Sequence, residues 1–153
     1  MNIIEILKRN KLTISAAESL TAGLVCAGIC DYAGASSVFK GGIVSYTKEM
    51  KCRLLGLAME DIEKYGVYSR QTVISMAEGI QRKTGSDIAI ATSGVAGPES
   101  DENVAAGTVY FCFLIRQTPI TECVVFSGDR NEVRRQAASY AISRICQLLD
   151  FKS

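Results

Sequence analysis

The sequence predicts an α/β fold, a three-layer α/β/α sandwich on a mixed β-sheet. Helix-period segments interleave with short β-rich runs along the chain. Some successive strands are joined by connections too short to hold a crossover helix, which requires antiparallel neighbours. Residues 107–115 are apolar on both faces, as a strand covered from both sides should be.

The elements follow in order. Ile3, Ile4, Ile6 and Leu7 fall at helical spacing, so residues 1–11 predict a short amphipathic helix. Residues 13–17 are uncharged and β-tolerant, suiting a buried strand. Residues 21–32 carry Leu24, Val25 and Ile29 among small side chains, which predicts a helix packed closely on the sheet. Residues 33–37 read as a turn, and 38–46 as a strand interrupted by Gly41-Gly42. A helix over about 48–55 is stopped by Gly56, and another over 69–84 is closed by Gly85. Residues 87–93 (DIAIATS) predict a central strand and 94–106 a long loop. Strands over 107–115 and 120–126 lead to a terminal helix over 131–149, with Val133, Ala137, Ile145 and Leu148 facing inward.

At 153 residues and 48% hydrophobic content, the chain suits one domain, 1–153, with a core that needs no staples. A balance of 17 basic and 16 acidic residues provides no electrostatic footprint for nucleic acid or a membrane surface. Residues 1–11 lack a signal peptide's apolar stretch, and the longest charge-free run, 19–30, is too short to span a bilayer. A cytoplasmic location is therefore expected, where the six cysteines act as small apolar residues. The chain has no histidine. Ser-His-Asp triads, Cys-His pairs and His-based zinc sites are thereby excluded, leaving Lys, Asp, Glu, Tyr or Cys for proton transfer.

Four segments could carry chemistry. In Ala17-Glu18-Ser19-Leu20-Thr21-Ala22-Gly23, a strand ends and a helix begins. Ser19 there could attack a carbonyl beside backbone donors, or merely cap the helix. In Val44-Ser45-Tyr46-Thr47-Lys48-Glu49-Met50-Lys51, either lysine could serve as a base if burial or the other's charge kept it neutral; both could equally be solvated. Ser93-Gly94-Val95-Ala96-Gly97-Pro98 follows the central strand, where glycines and successive N–H groups could cradle an anion. It is neither a Walker sequence nor a dinucleotide fingerprint. Arg130, with Arg134 and Arg135, opens the last helix after Gly128-Asp129 and could grip phosphate or form surface ion pairs. The cysteines form no CxxC, so packing is their expected role.

Taken together and in order, AESLTAG (17–23), FKGGIVSYTKEMK (39–51), SGVAGP (93–98), Gly107-Thr108-Val109 and Gly128-Asp129-Arg130 resemble the CinA C-terminal-domain family over nearly the whole chain. That family includes stand-alone nicotinamide-nucleotide amidases. The resemblance implies hydrolysis of nicotinamide mononucleotide to nicotinate mononucleotide and ammonia, without metal or cofactor. It implies Ser19 as nucleophile, Lys51 rather than Lys48 as base, and Tyr46 nearby. Glu18, Thr21, Lys48, Ser93, Gly94, Ala96, Gly97 and Arg130 are expected to bind substrate. Because the chain starts close to AESLTAG, the separate pyrophosphatase domain of longer CinA proteins is expected to be missing. The sequence departs from the usual pattern at Leu20 and Ala22 (often Cys and Gly), Lys48 (often Asn) and Glu99-Ser100 (typically Asp-Gly). Other readings are a non-catalytic nucleotide- or partner-binding module linked to competence or DNA damage, and an amidase for another small carboxamide. Apolar helices also predict a surface shared between subunits of a homo-oligomer.

Overall fold

The computed structural model describes residues 1–150. Three strands, β1 (Ile14–Glu18), β2 (Phe39–Val44) and β3 (Ile88–Gly94), run parallel. Two more, β4 (Thr108–Ile115) and β5 (Thr118–Val125), complete the sheet antiparallel, in the order β2-β1-β3-β4-β5. The mixed sheet is the predicted one. Only two residues separate β4 from β5, which makes an antiparallel hairpin of them.

Alternation along the strands assigns the two faces. Ile14, Ile88, Ile90, Val109, Phe111 and Phe113 point into one core. There they meet α1 (Ile3–Asn10), α2 (Leu24–Cys30) and α6 (Arg130–Asp150), through Leu7, Val25, Ile29, Ala137 and Ile145. Ala17, Ala89, Ala91 and Cys112 point the other way, against α5 (Arg70–Thr84) and the end of α3 (Lys48–Leu55). One face therefore carries large side chains and the other mostly small ones, which lets α5 lie close to the sheet. Close approach is also needed at Gly42, where an added Cβ would come within 2.3 Å of Cys26 Sγ on α2.

Most of the predicted helix and strand boundaries shift by a residue or two, and three features differ more. The helix expected from Thr21 starts at Leu24, because residues 19–23 form a turn. A helix not anticipated from the sequence, α4 (Met59–Tyr65), lies between α3 and α5. Its segment is mostly charged and buries only Ile62, so no apolar stripe marks it. In α6 the inward position near the end is Leu149 rather than Leu148, which is half-buried. Gly56 and Gly85 close α3 and α5 in left-handed conformations, as predicted. No helix of the described residues is long and apolar enough to cross a membrane.

Because β1, β2 and β3 are parallel, their carboxyl ends emerge at one edge of the sheet. Residues 17–23, 44–51 and 93–98 each sit at one of those ends, although 69 residues of chain separate β1 from β3. Such an edge, with helices leaving β1 and β2 on opposite faces, is where open α/β sheets form their clefts.

Candidate active site

The turn that carries Ser19 is shaped from below by Glu18. That side chain is fully buried, and its two carboxylate oxygens accept the N–H groups of Val25 (2.9 Å) and Cys26 (3.0 Å). Glu18 thus caps α2, whose own N-cap, Gly23, offers no side chain. Its carboxylate is spent on the helix, and so are the helix-start donors that the sequence suggested for an oxyanion. Within the turn, Ala22 adopts φ 46°, a left-handed conformation that favours glycine. Glu18→Gln turns an amide N–H₂ toward one of those two donors. It is expected to lower stability by about 2 kcal/mol, read as a drop of roughly 5 °C in Tm. An unchanged melting curve would show that the cap contributes nothing.

Ser19, at 6% exposure, opens onto the cleft. Its Oγ accepts a hydrogen bond from Lys51 Nζ at 3.0 Å. Lys51 reaches it from the first turns of α3, which Thr47 caps by accepting the Met50 N–H. Only 1% of Lys51 is exposed, and Nζ also donates to Ser45 O (2.8 Å) and Tyr46 O (3.4 Å). Among the described residues, no carboxylate is a partner of it. Burial lowers its pKa from 10.5 to about 8, against a weak opposing pull from Cys52. A neutral amine has two N–H bonds and one lone pair, which match two carbonyls and one hydroxyl. The surroundings therefore suit the uncharged lysine, with Ser19 then donating to it.

Between the two lysines the geometry is decisive. Lys48 pairs with Glu102 on the protein surface, and that partner raises its pKa. The mutual repulsion considered for Lys48 and Lys51 is not the cause of the Lys51 shift; burial is. Thr21 is buried with its hydroxyl against that of Thr92 (2.9 Å), and Thr92 lies under the Ser19 N–H at 3.4 Å. Ser93 is also buried and donates to Val67 O (2.9 Å). Glu18, Thr21, Lys48 and Ser93 therefore have partners within the protein and do not line the cleft.

The cleft, about 190 Å³, is lined by Ser19, Leu20, Tyr46, Tyr68, residues 94–97, Glu99, Asp101 and Arg130. Of the residues expected to bind substrate, Gly94, Ala96, Gly97 and Arg130 line this cleft. Arg130 donates to Gly97 O and to the Tyr46 hydroxyl, both at 2.7 Å, so the phenol turns toward the arginine. A second concavity of about 530 Å³ shares Ala96, Gly97 and Arg130 and extends over residues 126–129. Arg134 is used differently: its Nε donates to Leu20 O at 2.8 Å, pinning the Leu20–Thr21 peptide to α6. Tyr68, Thr92 and Asp101 were missed because no motif contains them.

A further groove of about 410 Å³ between α2 and α6 contains neither Ser19 nor any lysine. All six cysteines are free, and burial pushes the Cys112 thiol up to about 12, far from a reactive thiolate. Among the described residues, no group of three or more His, Cys, Asp or Glu side chains could hold a metal ion.

The family model described as CinA C-terminal domain matches residues 1–149. The chain belongs to the CinA C-terminal domain family. A CinA-like protein of Petrotoga mobilis is 39% identical over 97% of this chain and 37% of its own length. The Mycoplasma pneumoniae protein named Protein MG115 homolog is 43% identical over 87% of this chain and 85% of its own. The crystal structure of a competence or damage-inducible protein from Enterobacter asburiae superposes with a TM-score of 0.92 at 35% identity, covering 95% and 92% of the two chains. The chain spans 37% or less of the length of several other curated CinA-family relatives, such as that of Bacillus subtilis at 35%. The fold and the order of the motifs are thus those of a CinA C-terminal domain.

Proposed function

We propose that this CinA-family chain is an amidase that hydrolyses nicotinamide mononucleotide to nicotinate mononucleotide and ammonia. The observation that carries the reading is Lys51 Nζ, buried without a counter-ion, 3.0 Å from Ser19 Oγ at the mouth of a cleft. A lysine with a pKa of about 8 is neutral in a useful fraction of molecules near pH 7.

Neutral Lys51 takes the Ser19 proton as Oγ adds to the carboxamide carbon. The resulting oxyanion is received by the Leu20 backbone N–H, directly after the nucleophile, and Arg134 steadies the next peptide through Leu20 O. Lys51 then gives its proton to the departing nitrogen and ammonia leaves. A water, deprotonated by the same amine, attacks the Ser19 ester; collapse frees the carboxylic acid and restores the hydroxyl. The electron-withdrawing pyridinium ring assists both additions. Arg130, at the boundary of the two concavities, is the candidate partner for the 5′-phosphate, since its side chain borders both.

The test is ammonia release by the purified chain, with nicotinamide mononucleotide and free nicotinamide compared at equal concentration. Turnover of the mononucleotide, at least tenfold faster than of the free base, is expected. Binding of the mononucleotide without ammonia would instead support a non-catalytic nucleotide-binding module. Faster release from another carboxamide would move the substrate assignment but keep the chemistry.

A further inference from the structure

The cleft holds charges that the mechanism above does not use. Glu99 and Asp101 line the concavity that contains Ser19 and are absent from the lining of the neighbouring one, whereas Arg130 borders both. The loop that carries them is moored to the cleft wall at two places. Tyr68 donates from its hydroxyl to Asp101 Oδ2 at 2.6 Å. Glu102 pairs with Lys48 and accepts the Val67 N–H at 3.4 Å. Lys48 is held chiefly by Glu102 and only secondarily attracted to Asp101, and it does not line the Ser19 concavity. Burial and the neighbouring Asp101 push the Tyr68 phenol pKa up, which keeps its hydroxyl protonated and donating. Lys51 behind Ser19 is the remaining amine near the reacting carbon, and its burial disfavours a second positive charge there.

From this arrangement we propose that Glu99 and Asp101, with the rings of Tyr46 and Tyr68, select a cationic ring for the Ser19 compartment. The substrate class is then an N-alkylated pyridinium carboxamide, its anionic substituent directed past Arg130. The inference rests on the amidase reading for its choice of carboxamide but makes a separate claim, that charge on the ring is read by these two side chains. The two carboxylates sit exposed at the rim of the cleft, where they attract a cation with a strength that solvent and salt weaken. Aromatic faces add to that attraction. A neutral ring of the same outline would gain neither contribution. The reaction itself benefits, because the carboxylate product places a negative charge beside Glu99 and Asp101 and is repelled.

The experiment measures binding by calorimetry in the Ser19→Ala background, so that no turnover intervenes. Two probe pairs are used: nicotinamide mononucleotide with its neutral reduced form, and the 1-methylnicotinamide cation with nicotinamide. Asp101→Asn retains an oxygen that accepts the Tyr68 hydroxyl, and Glu99→Gln is isosteric, so the double variant removes charge with little change of shape. Both residues are exposed, and an unchanged melting temperature verifies the fold. The parent is expected to favour the cation in each pair about tenfold, and the double variant to lose most of that preference by weakening the cations alone. Raising the salt concentration should shrink the parent's preference in the same direction. Equal weakening of charged and neutral probes, no weakening, or no cation preference in the parent would overturn the proposal. Failure of the amidase reading is distinguishable: the wild-type chain would release no ammonia from the mononucleotide while the cation preference and its loss in the double variant persisted.

Discussion

Ser19→Ala is expected to reduce ammonia release from nicotinamide mononucleotide by a factor of about 10³ or more, with the fold retained. The size follows from the role: without Oγ there is no acyl intermediate, and only positioning by the cleft and backbone donors remains. The fold should survive because the Ser19 hydroxyl supports no other group than Lys51 Nζ, which keeps the Ser45 and Tyr46 carbonyls. Adding Lys51→Met to Ser19→Ala should cost little further rate, since nucleophile and base act as one unit. Measured turnover within tenfold of wild type, for a variant with an unchanged melting curve, would remove Ser19 from the chemistry.

Lys51→Met is expected to lower the rate by a factor of about 10³ and to change how stability responds to pH. In the wild-type chain, kcat/KM should rise about tenfold per pH unit on the acid side and level off above the lysine pKa of about 8. The variant should lose that limb. The stability effect has a definite sign. Lys51 titrates near 8 when folded and at its ordinary 10.5 when unfolded, so between those values the unfolded chain binds more protons. Wild-type stability therefore rises with pH across that window relative to Lys51→Met. The full change corresponds to about 3 kcal/mol, because each pKa unit is worth about 1.4 kcal/mol. Below pH 8 both states are protonated and the difference becomes flat. Denaturant titrations of both proteins at pH 7, 9 and 10.5 measure it; a wild-type minus variant difference independent of pH would mean that burial leaves the amine's pKa unperturbed.

The buried lysine also explains why its role is hard to see in isolation. KxxK on an amphipathic segment has the composition of a solvated surface turn, and Lys48 indeed lies there, paired with Glu102. Lys51, three residues on, lies on the adjoining side of the same helix, yet its amine turns inward to Ser19 and to the Ser45 and Tyr46 carbonyls and is nearly inaccessible. The family resemblance picked between them; spacing within the segment did not. Glu18 has a similar history. Its place beside Ser19 suggested contact with substrate, yet its two oxygens cap α2. A glutamate seven and eight residues before the N–H groups it accepts belongs to no local capping pattern, so sequence spacing could not have revealed the contact.

Sequence by itself determined the α/β class, the mixed sheet, nearly every helix and strand, and the segments that gather at one edge. Those properties follow from local periodicity, glycine stops and the requirement that parallel strands end together. Tertiary structure alone decided that Glu18 caps α2, that burial rather than a neighbouring lysine depresses the Lys51 pKa, and that Tyr68 and Asp101 join the cleft from segments without a motif. These outcomes depend on burial and on contacts between residues tens of positions apart. Desolvation and directed hydrogen bonds act through space, whereas sequence periodicity reports only which way each side chain leaves its own backbone.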